Sequence, residues 1–580
     1  MKIAVVVKQI PRFEAMTMTA DGRLQRDGVE LDLNAYCRRA LAKGVELARD
    51  SGGSCTAFSL GPESAEEVLR EAVAWGAANG VQMSGVLISD AAFAGSDSLA
   101  TARALAAALT LEGPFDLILA GRNSVDADTG QVGPALAELL DLPFLAGVRK
   151  LDIEAGKITA SCEQDDGWLH AETSLPAILS VAERLCAPAK AGPEERAAVE
   201  AGRIRRLRAA DLGRGPWGAA GSPTRVGEIR AEVDIPRAGK RLTGVRELVA
   251  LLRRRGALDD RQAASPGTVP EAGDGPPVAV IIEPGRERLG RELCGAAARL
   301  GGPVVGLLQE ALDGDDLGAW GCSTAVVFDG VLAEEDMALG VSAWARDHAP
   351  WAILAPGTLW GREVAARAAA ALGAGLVGDA VDLEVRDGRL IAWKPAFGGK
   401  LVAAITASSP IQMATVRAGA LPLLVPRQGR AEIAHQPVAP RGRIHITSRE
   451  RDDELDALAS ARVVIGVGLG VAREDYPKLD PLRTLLGAEL AGTRKVTDQG
   501  WLPRSRQVGV TGRAIAPGLY IALGVSGKFN HSMGFRRAGT VLAINSDPEA
   551  MIFDLADGSI VGDWREIVPR LVDELKKDGS

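Results

Sequence analysis

Two stretches of this chain repeat one pattern, and that repeat constrains the fold more than any other feature. Residues 117–158 read LILAG, a polar loop, then GPALAELLDLPFLAGVRKLDIEAGKI. Residues 353–390 read ILAPG, a short loop, then GREVAARAAAALGAGLVGDAVDLEVRDGRL. Both predict a strand, a loop, a helix, a Val, and a hairpin turned at Ala-Gly or Asp-Gly. Two related α/β domains follow, one in each half. Short apolar runs such as KIAVVVK (2–8), TAFSLG (56–61), FDLILAG (115–121) and PAILSV (176–181) alternate with Ala/Leu-rich stretches at 63–78 and 98–111. That alternation predicts parallel sheets covered by helices.

At 580 residues the chain is too long for a single core. Residues 256–277, rich in Pro, Gly and small polar side chains, read as a linker. They separate a domain over 1–255 from a second over 278–425. The polar stretch 426–455 fits a hinge. A third α/β domain over 456–580 opens with ARVVIGVGL and closes with a helix at about 564–577. The net charge of −8 gives no basic domain for nucleic acid. There is no uncharged apolar run long enough to span a membrane. The six cysteines are scattered without a CxxC pair, which argues against an iron–sulfur or zinc site and suits a reducing, cytoplasmic setting.

Two regions carry candidate chemistry. Residues 461–473, ARVVIGVGLGVAR, approach a dinucleotide fingerprint, but the third glycine it needs at 471 is Val471. A glycine-rich turn after a buried strand is sufficient reason for that composition. Residues 490–563 hold four glycine-containing turns, each with a hydroxyl, amide or charged group beside a strand-like run. Glycine lets backbone N–H groups approach a phosphate, and Ser526-Gly527 with Lys528 nearby is such a turn. In the first half, Asp126 and Asp128 can accept from ribose hydroxyls or an adenine amino group. Thr129, Gly130 and Gln131 open a helix whose N-terminus favours phosphate; capping by Asp128 is the plainer alternative.

The C-terminal motifs resemble the FAD domain of the electron-transfer flavoprotein alpha subunit: Gly-Thr-Arg at 492–494, QVGVTGR at 507–513, APGLYIALGVSG at 516–527, His531, AINSDPEA at 543–550 and Asp563. Residues 353–422 resemble that subunit's first domain. Residues 1–255 resemble the beta subunit through VVVKQIP (5–11), LDLNAYCRRAL (31–41), SLGPESAEEVLREAVAWGA (59–77), GRNSVDADTGQVGPALAE (121–138) and LVALLRRRGAL (248–258). The resemblance covers nearly the whole chain, beta first and alpha second. It implies an α/β protein of two related parallel-sheet domains plus a C-terminal, Rossmann-like FAD-binding domain.

It also implies roles. Arg494 lies beside the flavin ring and offsets charge on the reduced form, Thr511 hydrogen-bonds near N5, and His531 approaches the pyrimidine carbonyl side. Ser526 binds pyrophosphate with Thr493 nearby, and Asn545 and Asp563 hold the adenosine. Gln507, Val508, Gly509, Gly512, Gly527 and Lys528 complete the set. Asp126, Asp128, Thr129, Gly130 and Gln131, with Val6, Lys8, Leu60 and Gly61, form a second nucleotide site, for AMP in some relatives and a second FAD in electron-bifurcating ones. Several positions depart from the family: Thr493 replaces a common Ser, GVGLG at 466–470 lacks the usual arginine, FGGK replaces a more usual ending in Asn, and 184–208 reads as a turn plus a charged helix without the usual partner-docking anchor. The implied activity is electron carriage from a dehydrogenase, such as an acyl-CoA dehydrogenase type, to a membrane-associated or soluble acceptor such as a quinone oxidoreductase, by a chain that can act as a monomer. A flavin-free adenine-nucleotide sensor and an NAD-dependent dehydrogenase using 466–470 are the alternatives from other classes.

Overall fold

The computed structural model describes residues 1–11, 30–231, 237, 239–258, 267–396, 401–451, 457–458, 461–509, 512–513 and 515–577. They fall into two units, Met1–Ala231 with Gly267–Glu450, and Glu232–Pro266 with Arg451–Ser580.

The repeat is written into the sheets of the first unit. One sheet runs Ile204–Leu207, Met83–Ile88, Ser54–Leu60, Lys2–Val6, Leu117–Gly121, Ala177–Val181, Phe144–Glu154. The other runs Glu432–Pro437, Cys322–Asp329, Val304–Leu308, Val278–Ile282, Ala352–Pro356, Gln412–Val416, Gly375–Ala380. Position for position the orders match, and these strands pair in parallel. The central strands LILAG and AILAP are apolar along almost their whole length because a parallel sheet is covered on both faces. The hairpins turn where their dipeptides require it. Ala155 and Gly156 have φ +48° and +82°, and Asp387 and Gly388 have +52° and +71°, positive at both central residues.

The copies diverge after the repeat. Phe144–Glu154 is one continuous strand whose far end pairs antiparallel with Lys157–Glu163, and that strand with Gly167–Ser174. In the second half the equivalent run is divided into Gly375–Ala380 and Asp382–Arg386. The hairpin there forms a separate sheet ordered Thr224–Ala231, Leu401–Ala407, Arg389–Ala396, Asp382–Arg386. Each half lends the other a strand. Thr224–Ala231 from the first half pairs antiparallel with Leu401–Ala407. His445–Arg451 from the second half lies beside Gly167–Ser174.

This exchange corrects the hinge expected at 426–455. Glu432–Pro437 closes one sheet and His445–Arg451 extends another, and their polar character reflects edge positions with solvent on one side. Residues 452–455 lie outside the described residues. The reading of 184–208 as a turn plus a charged helix also changes. Only Pro193–Ala197 is a short α-helix, and Ile204–Leu207 is an edge strand beside Met83–Ile88.

The second unit is a six-stranded parallel sheet ordered Lys240–Arg241, Gly558–Val561, Thr540–Asn545, Leu519–Leu523, Val463–Val467, Ala488–Gly492. Its edge strand and the helix Val245–Arg254 come from the stretch assigned above to the 1–255 domain, so that boundary moves. The reason is hydrophobic. The helix repeats leucines at a spacing that makes one face apolar, and Leu248, Val249 and Leu252 are buried in one core with Leu542, Ile560, Trp564, Val568 and Leu571. Charge reinforces the attachment. Asp557, fully buried, takes Arg237 at 2.6 Å and Arg255 at 3.1 Å, and also accepts from the Val541 N–H at 2.8 Å.

Candidate functional site

In the second unit, Val463–Val467 lies between Ala488–Gly492, the next strand in sequence, and Leu519–Leu523, the one after. The connections leave this first strand in opposite directions. The carboxyl ends of Val463–Val467 and Leu519–Leu523 therefore border a topological switch point, where open α/β sheets bind ligands. The predicted residues gather on this edge. Thr493 and Arg494 follow Gly492, Ser526 to Lys528 follow Leu523, Asn545 ends its own strand, and Asp563 follows Val561.

Close packing explains the glycines around 466–470. A Cβ on Gly468 would stand 2.0 Å from the Gly524 carbonyl oxygen, and one on Gly470 would stand 2.9 Å from the Gly524 Cα. The two loops thus touch through their backbones, and Val471, where the fingerprint wants glycine, is fully buried in the core. Gly527, at φ +78°, sits where a Cβ would meet the Ile552 nitrogen at 2.2 Å. Asn545 braces the same turn: its amide donates to the Val525 carbonyl at 2.8 Å and its oxygen accepts from the Asp547 N–H at 3.0 Å. Asp563 accepts from the Arg565 N–H at 2.8 Å, capping the final helix.

The 507–513 turn is docked onto the neighbouring strand end. Val508 N–H donates to the Gly492 carbonyl at 3.0 Å, and Gly512 N–H to the Gly509 carbonyl at 3.0 Å. Gln507 is fully buried and takes the Thr497 hydroxyl at 2.8 Å. Thr511 lies outside the described residues. This docking brings Gln507, Val508, Gly509 and Gly512 beside Thr493 and Arg494.

His531, expected on the pyrimidine side of a flavin, is buried with both ring nitrogens hydrogen-bonded. Its Nδ1 donates to the Val508 carbonyl at 2.8 Å, and its Nε2 accepts from the Tyr520 hydroxyl at 2.9 Å. Both ring nitrogens are thus engaged inside the protein. Burial pushes its pKa down to about 4, so the ring is neutral at neutral pH. Tyr520 stacks on Phe535 behind it at 4.3 Å between centroids. His531 therefore ties Val508, at the start of that turn, to the core behind it.

The donor set suits an anionic dinucleotide. Ser526 and Lys528 are exposed at the strand ends with no side-chain partner among the described residues, and the Thr493 hydroxyl does not cap its own helix. Arg494 is half-exposed, its Nε 3.4 Å from Asp498. Hydroxyls, backbone N–H groups and an ammonium such as Lys528 are what a pyrophosphate needs.

The first unit repeats this geometry in its first half. Lys2–Val6 stands between Ser54–Leu60 and Leu117–Gly121, making a second switch point. Val6, Lys8, Leu60, Gly61 and the loop 122–131 all lie at those carboxyl ends. Lys8 pairs with Asp126 at 2.8 Å. Asn123, which sequence reasoning did not single out, is the staple of the loop. Its oxygen accepts from the Ser124 N–H at 2.9 Å and the Gly130 N–H at 3.0 Å, and its amide donates to the Asp128 carboxylate. Buried Asn34 donates to the Asn123 carbonyl at 2.8 Å. The only signal for these two was an asparagine inside each quoted motif, LDLN and GRNS. Asp128 adopts φ +45° and does not cap the helix Val132–Leu139, whose start carries no side-chain cap. Thr129 approaches Ser98 at 3.5 Å, and buried Gln131 donates to the Leu376 carbonyl at 3.2 Å.

These observations define a class: an α/β protein of parallel sheets with two switch points of the kind at which open α/β sheets bind ligands. The family comparisons refine it. The electron transfer flavoprotein domain matches residues 21–211 and 282–440, and the electron transfer flavoprotein FAD-binding domain matches 457–536. The electron transfer flavoprotein subunit alpha of Thermoanaerobacterium thermosaccharolyticum is 33% identical over 293 residues, 48% of this chain and 88% of that protein. Protein FixB of Bradyrhizobium diazoefficiens is 36% identical over 260 residues, 42% of this chain and 70% of that protein. The putative electron transfer flavoprotein subunit YdiR of Escherichia coli K12 is 31% identical over 301 residues, 49% of this chain and 94% of that protein. The chain belongs to the electron transfer flavoprotein family. No helix among the described residues is long and apolar enough to cross a membrane.

Proposed function

We propose that this chain is an electron transfer flavoprotein with beta-like and alpha-like halves joined in that order, and that it carries one FAD at the switch point of the second unit. The observation that carries the reading is the gathering of Thr493, Arg494, Gln507 to Gly509, Gly512, Ser526, Lys528, Asn545 and Asp563 on one edge of a parallel sheet. Bound there, FAD supplies reversible electron storage. Ser526, Lys528 and the backbone around Gly527 hold the pyrophosphate. Arg494 places positive charge beside the ring, and Asn545 and Asp563 shape the adenosine end. His531 stays neutral and keeps the 507–513 turn against the strand end. A dehydrogenase supplies the electrons and a second redox partner takes them.

The loop 126–131 binds an adenine nucleotide, AMP or the adenosine end of a second FAD, with phosphate at the open start of Val132–Leu139. The test is the absorbance spectrum and nucleotide content of the purified full chain after incubation with excess FAD. One flavin and one AMP per chain fit a simple carrier, and two flavins fit a bifurcating one. A colourless protein that retains only AMP refutes the flavin reading in favour of a nucleotide sensor.

A further inference from the structure

The loop 126–131 is held by the other half of the chain as well as its own. We propose that Lys394, from the second half, is a positioning residue that sets the Asp128–Gln131 backbone for a nucleotide phosphate. Lys394 lies in the strand Arg389–Ala396 and is buried at 5% exposure. Its Nζ donates to the Asp128 carbonyl at 3.3 Å and to the Gly378 carbonyl at 2.9 Å. Asp128 is the residue of the loop that holds a left-handed conformation without being glycine, and such a conformation persists only when its surroundings impose it. Asn123 constrains that residue through its carboxylate, and Lys394 constrains it through its carbonyl.

The surroundings point the same way. Gly378 presses on the loop so closely that a Cβ there would stand 3.4 Å from the Thr129 Cα and 3.0 Å from the Gln131 side-chain Nε2. The Arg362 stem packs near Gly130. Burial lowers the Lys394 pKa, while Asp379 and Asp128 favour its charge and Arg362 and Arg417 oppose it. Asp379 is itself paired with Arg417 and with Arg362 at 3.2 Å, so Lys394 is not drawn into a close ion pair and stays on the two carbonyls. The consequence is specific to phosphate. The start of Val132–Leu139 opens beyond the loop without a side-chain cap, while the Gly130 N–H is held by Asn123, and Asp126, paired with Lys8, lies further back.

This inference rests on the adenine-nucleotide reading of the loop, so the experiment separates the two. Full-length wild type, Lys394→Met and Lys394→Arg are titrated with AMP and with adenosine by calorimetry. Amide exchange over 123–131 is followed by mass spectrometry without nucleotide. Lys394→Met is expected to weaken AMP about tenfold, one charge-assisted hydrogen bond's worth, and to leave adenosine unchanged. Lys394→Arg, which keeps a cationic donor, restores part of the loss, and exchange at 128–131 quickens in the Met variant. Equal loss of AMP and adenosine, or unchanged exchange with unchanged AMP affinity, overturns the positioning role. Quickened exchange in a protein whose wild type takes up neither ligand supports the positioning role and refutes the nucleotide reading.

Discussion

Truncating Leu248 to Ala tests whether the helix Val245–Arg254 is structurally part of the flavin unit. Leu248 is fully buried among Leu542, Ile560, Trp564 and Leu571. Removing about three methylene equivalents forfeits ~2.4 kcal/mol of burial at ~0.8 kcal/mol each. The cavity left behind adds to this, giving ~3–4 kcal/mol in total. A unit of this size loses roughly 2–4 °C of melting temperature per kcal/mol, so its transition should fall by ~6–16 °C. The assay is thermal release of flavin fluorescence, paired with hydrogen exchange by mass spectrometry. Exchange should quicken in Thr540–Asn545, Gly558–Val561 and Trp564–Lys577 and stay unchanged in Lys2–Val6 and Leu117–Gly121. An unchanged melting point, or quickening confined to the first 121 residues, refutes the assignment of this helix to the second unit.

Three further outcomes are expected. The folded pKa of His531, about 4, lies below the unfolded 6.5, so the unfolded chain takes the proton first. This stability is fully present above pH 6.5 and declines by about 3 kcal/mol as pH falls to about 4. Urea titrations across that window should be flatter for His531→Gln than for wild type, and parallel profiles would count against it. Gly468→Ala forces a Cβ to 2.0 Å from the Gly524 oxygen and should purify with little flavin; full flavin stoichiometry would show that the two loops need not touch. Arg494→Ala should lower the midpoint potential of bound flavin, by tens of millivolts because the guanidinium is half-exposed and already pairs with Asp498. An unchanged potential in spectroelectrochemistry removes Arg494 from that role.

The strands of both sheets were legible because their apolar runs are short, bounded and repeated, as at 117–121 and 352–356. The hairpins were legible because Ala-Gly and Asp-Gly state their backbone need locally. The exchanged strands were not. TRVGEIRA and HITSRER are polar edge segments, and nothing in a local pattern says which distant strand they join. The Val245–Arg254 helix shows its amphipathic face in sequence but not the core that face enters. At the candidate sites, glycines and hydroxyls marked the strand ends. The supporting residues Asn34, Asn123 and Lys394 stayed hidden, because their role depends on where a remote backbone carbonyl arrives in space.

The traded strands Thr224–Ala231 and His445–Arg451 have a kinetic consequence for assembly. Were the two halves separate polypeptides, each would wait for a collision before its sheet could be completed, at a rate set by how much of the other was present. On one chain the missing strand is never further away than its tether, a local supply in the millimolar range for short flexible connections. Dilution cannot then strip one half from the other, and neither half can be made in excess to leave an unpaired edge open to aggregation.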